Sequence, residues 1–383
     1  MKHAPLPSRG TGTVRVGRDM PRVPPVGPTR VLASVYTDPE RFEQERVKVF
    51  RRSWFVIERG SEIPDPGDYL IWEEFGETVV VTRQRDGNVA AFHNVCQHRG
   101  ARICDPRDTP SGSKAGTCTE YFECPWHGFR YGLDGAVLGI PERADFARDQ
   151  VEGLRAPGVA VREWGGWLWV NLSGDLAPSL EDWLGPEIME ELGHYRMEDM
   201  VLHRKQTWHM PVNWKAVVDG FIEVYHVGTA HRRTIGDLLA TRDTFQTLFD
   251  RHSMYVVPGA AGLDAMLAGQ DHIQNSISHY LVFPNSIFNC NATHIQFFMP
   301  IPIDANTSKY TAWNLILPGG DEEFIGFMDM MWGFFTAVAE EDLYAAQQVG
   351  ATRQSMGYTR NIMNERECRI PHFLDNVEKM LAD

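Results

Sequence analysis

The alternation of hydrophobic and polar positions changes character along this chain. Residues 1–35 show no apolar periodicity; their Pro, Gly and Arg content predicts a flexible tail. Thr37-Asp38-Pro39-Glu40 then sets a capping residue three positions before an acid, with proline in the first turn. That pattern predicts a helix from Thr37, running over 36–50 with Phe42, Val47, Val49 and Phe50 as its apolar contacts. From 51 to 172 the runs become short and β-rich: 69–72, 78–83, 89–93, 137–138, 159–164 and 167–172. Gly and Asp separate them, Asp86-Gly87 reads as a hairpin turn, and the region is predicted to be a small all-β domain.

From 173 to 383 the pattern is mixed. Helical periodicity is read over 214–226 and 322–350, and strand patterns over 279–283, 286–290, 294–301 and 311–317. An antiparallel sheet flanked by helices follows, so the overall class is α+β. The stretch 273–303 contains no Asp, Glu, Lys or Arg. Asn275, Asn285, Asn289, Asn291, Gln296 and prolines interrupt it, so it is read as strands and not as a membrane helix.

Composition narrows the function classes. With 383 residues, 43% hydrophobic and 23% charged, the chain has room for two cores. A net charge of −14 lacks the basic footprint of a nucleic-acid binder. The N-terminal stretch has no apolar secretory core, so a cytoplasmic chain with reduced thiols is expected. Its six cysteines are then available for metal rather than for disulfides.

Two constellations carry chemistry. In the β-rich half stand Cys96-Gln97-His98 and Cys124-Pro125-Trp126-His127, followed by Gly100 and Gly128 where the backbone would turn tightly. Zinc is one candidate for two Cys and two His. Here each loop supplies one of each, an order that suits a two-iron cluster with both thiolates on one iron and both imidazoles on the other. In the second half, Asp219, Glu223 and His226 fall at helical spacing on one face, beside Val217, Val218, Phe221 and Ile222. His231 follows past Gly228, where a break could return it to that face. Two imidazoles and a carboxylate with open positions opposite form the facial triad of oxygen-activating iron. The acidic run Glu340-Glu341-Asp342, after the apolar stretch 327–339, is a source for the carboxylate. From the residues alone, an electron-transfer protein with an unrelated second domain and a zinc module remain alternatives.

C-x-H-R-G followed by C-P-W-H-G-F-x-Y resembles the Rieske signature of aromatic-ring-hydroxylating oxygenases and related demethylases, and the segment from Asn213 to His231 is similar to their mononuclear-iron motif. Over residues 35 to 375 the resemblance implies a catalytic alpha subunit with a helix-grip-like catalytic domain. It implies a [2Fe–2S] cluster on Cys96, His98, Cys124 and His127. It also implies a mononuclear Fe(II) on His226, His231 and Asp342, with Glu341 the neighbour that could replace Asp342. Asn213, Asp219 and Glu223 are implied as catalytic supports. Glu223 would link His226 to the cluster ligand His127 of a neighbouring subunit in a homotrimer, with or without β subunits. Trp126 matches the oxygenase type of Rieske site. The 25 residues between His98 and Cys124 exceed the family's usual spacing, and 105–115 reads as an inserted loop. Cys104, Cys118, Cys290 and Cys368 are expected to be plain buried or loop thiols. No G-x-G-x-x-G stands in a strand-to-helix setting, so electrons are expected from a separate NAD(P)H reductase, with or without a ferredoxin. O₂ and an apolar or aromatic small molecule are the expected co-substrates. The cavity segments 276–283, 286–296 and 324–338 are rich in Phe, Ile, Met and Asn and poor in charge. The remaining histidines, including His279 and His294, are taken as structural or surface groups, with a cavity-facing His294 the minor alternative.

Overall fold

In the computed structural model, which describes residues 29–105, 115–267 and 275–382, the chain divides into two units. One is Phe50–Trp183; the other joins the residues up to Val49 with those from Leu184 onward. Phe50–Trp183 is all-β apart from short helical turns. Its larger sheet runs in the order Phe55–Arg59, Trp167–Asn171, Gly158–Trp164, Val89–His93, Glu77–Arg83, Asp68–Glu74, Ala115–Thr117. A smaller sheet pairs Phe122–Glu123, Arg130–Tyr131 and Val137–Gly139. The expected hairpin turn is present: Gly87 adopts φ +86° and Asp86 accepts the Asn88 N–H. Cys96, Cys104, Cys118 and Cys124 share one apolar core with Ile71, Phe92 and Tyr131.

The second unit is built on a seven-stranded antiparallel sheet. Its order is Val201–Met210, Ser308–Ile316, His294–Pro302, Ser286–Cys290, Ser276–Val282, Ser253–Pro258, Phe245–Leu248. The helix Glu322–Thr352, capped by Asp321 accepting the Phe324 N–H, lays Trp332 and Phe335 against Trp208 and Phe298 of this sheet. No described helix is long and apolar enough to cross a membrane.

Three expectations are corrected. The first helix is capped by Asp38 rather than Thr37 and runs Pro39–Lys48, with Val47 exposed and not an apolar contact. Thr37 Oγ1 instead donates to the Ala33 carbonyl. The expected tail extends too far: residues 1–28 lie outside the described residues, but Thr29–Leu32 forms a strand paired with Arg360–Met363. Most of the 105–115 loop likewise lies outside the described residues. The helix over 214–226 stops early, at Trp214–Phe221, and resumes as the short turn Val227–Ala230.

The helix Pro39–Lys48 is anchored to Trp214–Phe221 by a buried ion pair, Lys215 Nζ to Glu45 Oε2 at 2.6 Å, with Trp214 Nε1 donating to the same oxygen. Arg41 holds the other carboxylate oxygen at 3.0 Å. Lys215→Ala leaves that carboxylate buried without its lysine, and should lower unfolding free energy by about 3–5 kcal/mol in chemical denaturation. Replacing exposed Arg148, paired with Glu152 one helical turn on, should change it by less than about 1 kcal/mol.

Candidate metal centres

The two cluster loops are the same backbone device used twice. In one, Cys96 N–H donates to the Ala101 carbonyl and Gly100 N–H to the Cys96 carbonyl; in the other, Cys124 pairs with Phe129 and Gly128 with Cys124. Gly100 and Gly128 take φ +76° and +71°, a left-handed turn that a side chain would strain. The consequence is graded exposure. Both cysteines are buried, while His98 and His127 lie nearer the surface with ring centroids 4.5 Å apart.

This donor set fits a [2Fe–2S] cluster with an inner thiolate iron and an outer imidazole iron. His98 Nδ1 is buried without a partner, the state of a ligand atom awaiting its ion. The ring itself is fixed by stacking on Phe129 at 5.0 Å and 8°. Burial pushes the Cys124 thiol up, so a cation is needed to hold the thiolate. Tyr131 Oη donates to Cys96 Sγ at 3.2 Å, a hydrogen bond of the kind that tunes a cluster's potential. At the rim, the Arg99 guanidinium lies 4.0 Å over Trp126 and donates to His127 Nε2 at 2.6 Å.

The second centre forms where the helix Trp214–Phe221 ends. Asn213 begins that helix, its Oδ1 accepting the Lys215 N–H and its Nδ2 donating to the Ala305 carbonyl. These bonds make Asn213 the cap that sets where this helix begins. Beyond Ile222, Glu223 turns its carboxylate onto the backbone N–H groups of Tyr225 and His226 and onto His226 Nδ1. A side chain thus satisfies N–H groups that the helix break frees. Glu223 and His226 therefore meet through a turn and not along a helical face.

Both imidazoles are held by Nδ1, His226 on Glu223 and His231 on Glu341 Oε2 at 2.9 Å, where Thr234 also donates. With Nδ1–H donated to a carboxylate, each ring in its neutral form presents Nε2 as the bare nitrogen. Asp342 Oδ1 lies 3.1 Å from His231 Nε2 and 3.9 Å from His226 Nε2. Ligand atoms of the three residues fall within 4.8 Å of one another, close enough to share one ion. The geometry puts Asp342, not Glu341, beside both free nitrogens. Burial works against charging either imidazole, yet the acids around them raise both above the ordinary histidine value. A site so electronegative is suited to a cation.

Asp219 stays outside this set. Tyr36 Oη donates to its Oδ2 at 2.6 Å, and burial pushes its carboxyl up to about 7. Glu340 is also engaged, accepting from Trp208 Nε1 at 3.2 Å, so none of the three late acids is merely solvated. His226, His231 and Asp342 stand at a cavity of about 260 Å³ whose other walls include Phe221, Tyr255, Phe298, Phe334 and Val338. His294, read mainly as a structural group, lines it. His279 lines it too, which a lone histidine on a strand did not signal.

Residues 197–383 match the family Ring hydroxylating alpha subunit (catalytic domain), and residues 53–155 match the Rieske [2Fe-2S] domain. The chain belongs to the Rieske non-haem iron oxygenase family. The family's two domains carry one [2Fe–2S] cluster and one mononuclear iron per chain. Among relatives, the carnitine monooxygenase oxygenase subunit of Escherichia coli (strain K12) is 32% identical over 204 residues, 52% of each chain. The biphenyl dioxygenase subunit alpha of Paraburkholderia xenovorans (strain LB400) is 32% identical over 209 residues, 51% of this chain and 43% of that one. The chain thus spans about half the length of the curated relatives it matches. The fold is shared more widely. The quaternary ammonium Rieske monooxygenase CntA in complex with L-carnitine superposes with a TM-score of 0.75 at 22% identity, covering 92% of this chain and 95% of that one.

Proposed function

We propose that this chain is the terminal oxygenase of a multicomponent system, and that it hydroxylates or oxidatively demethylates an uncharged apolar or aromatic small molecule. The observation that carries this reading is the group His226, His231 and Asp342 at the wall of an apolar cavity, in a chain that also has a Rieske domain. Cys96, His98, Cys124 and His127 would hold the cluster, and the triad the iron. When bound, the two groups supply electron transfer and O₂ activation. The protein's own part is positional. Glu223 and Glu341 fix the tautomer of each imidazole, and the apolar walls hold the substrate and exclude water.

Among the described residues lining the cavity there is no Lys or Arg. It therefore offers no counter-ion for the carboxylate of carnitine, the compound in the relative's name. Electrons would come from a separate NAD(P)H reductase, with or without a ferredoxin, and the assembly would be a homotrimer, with or without β subunits, in the cytoplasm. Elemental analysis tests the reading directly. Three irons per chain, two in the cluster and one mononuclear, are expected, whereas an electron-transfer protein holds two.

Glu223→Gln should leave both centres loaded while slowing single-turnover oxidation of the reduced cluster by at least about tenfold, the loss of one charge-assisted hydrogen bond. Rapid mixing of the reduced, substrate-bound enzyme with O₂ measures this. A wild-type rate would leave Glu223 with only the structural task of capping Tyr225 and His226.

A further inference from the structure

One row of side chains crosses the catalytic sheet at a single level of its register. Tyr255 is paired with His279, His279 with Asn289, Asn289 with Gln296, and Gln296 with Asn314. Directly opposed residues on antiparallel strands share a face, and the first four of these line the cavity. The row is polar in a chamber whose walls are mainly apolar away from the metal set, and its hydrogen bonding is incomplete.

Asn289 Nδ2 donates to Gln296 Oε1 at 2.9 Å. This leaves Asn289 Oδ1 as an acceptor and Gln296 Nε2 as a donor, neither with a protein partner among the described residues. Exchanging N and O in both amides changes nothing essential, because a bonded pair of carboxamides always leaves one donor and one acceptor over. His279 lies next in the row, stacked on Tyr255 at 4.6 Å and 13°, with Phe221 nearly parallel at 6.5 Å. Its Nδ1 is buried without a partner. Burial, reinforced by the Arg369 charge, holds this imidazole well below its ordinary pKa, so it is a neutral donor and acceptor. A ladder serving only the fold satisfies its own members; this one leaves complementary groups free at the cavity.

We infer that His279, Asn289 and Gln296 read an amide-type edge, an N–H beside a C=O, on an uncharged ring substrate; the inference rests on the oxygenase reading of this cavity. A lactam carbonyl would accept the free amide N–H of the pair and its N–H would donate to the free amide oxygen, with His279 supplying one more hydrogen-bonding nitrogen. A bare hydrocarbon is disfavoured because it leaves donor and acceptor unpaired in a dry site. An ion is disfavoured because the lining acids, Glu223 and Asp342, are engaged by His226 and His231. The modest volume suits a molecule of one or two rings.

The test is calorimetric titration of the holoenzyme under anaerobic conditions with two probes of the same fused outline, oxindole and indane. Wild type is expected to bind oxindole at least about tenfold tighter than indane. Asn289→Leu and Gln296→Leu should each bring the ratio to about one by weakening oxindole, and retained indane affinity reports an intact pocket. Equal affinities in wild type, a preference for indane, or a ratio that survives both substitutions overturns the inference. Because binding is read without O₂, the two proposals fail separately. Selective binding without product on reduction and oxygenation would remove the oxygenase reading alone; product without selectivity would remove this one alone.

Discussion

Asp342→Ala should empty the mononuclear site and abolish product, while the reduced protein keeps its full Rieske-type EPR signal. Among the described residues, this carboxylate supplies the only negative charge placed beside both His226 Nε2 and His231 Nε2. Its loss leaves two imidazoles, too few to hold Fe(II) in competition with water. Glu341→Ala gives a graded contrast. It removes the acceptor of His231 Nδ1–H, a contact at 2.9 Å, without touching the ligand atoms. Outer partners of this kind typically cost about 10–100-fold in metal affinity, so added ferrous iron should restore much of the activity. Iron per chain, EPR intensity and product are measured on the same preparations. Activity surviving Asp342→Ala but lost irretrievably in Glu341→Ala would move the ligand by one position.

Cys96→Ala or Cys124→Ala should yield colourless protein without the cluster's EPR signal, and iron should fall from three per chain to one. Cys96 and Cys124 would be the buried anchors of the cluster, and no other cysteine stands in for them on these two loops. The remaining iron is retained because His226, His231 and Asp342 all belong to the other unit. A full signal in either variant would falsify the cluster assignment.

Much of this was legible in the chain. Strands at Val89–His93 and Ser286–Cys290 were bounded correctly because turn residues close them at both ends. The strand Val201–Met210 is not legible in the sequence for a physical reason. It is an edge strand, most of its residues face solvent, and Arg204 and Lys205 in its middle erase the apolar alternation. The helix break after Phe221 is hidden in the sequence because apolar periodicity continues through Ile222 and Val224, while the freed N–H groups are met by a Glu carboxylate, a residue outside the usual capping set. The donors Cys96, His98, Cys124, His127, His226 and His231 stood out by spacing, whereas Asp342 depended on resemblance, since nothing in Glu340-Glu341-Asp342 says which acid faces inward. His279 carried no local signal. Its meaning comes from being level with Asn289 and Gln296 across three strands, and strand register cannot be read from one sequence.

The helix Glu322–Thr352 holds both the carboxylate of the metal set and, within the preceding three turns, Met331, Phe334, Phe335 and Val338 of the cavity. Wall and ligand are therefore points on one rigid screw, with a common phase. Each added or deleted residue rotates everything beyond it by about 100° and shifts it by about 1.5 Å. The length from Met331 to Asp342 is consequently frozen, although the apolar identities along its wall stripe can be exchanged. Such a design lets a lineage exchange the substrates it admits by point substitution on one stripe, and forbids it from doing so by insertion or deletion there. Length variation is left to the loops, where a slip turns no ligand away from its ion.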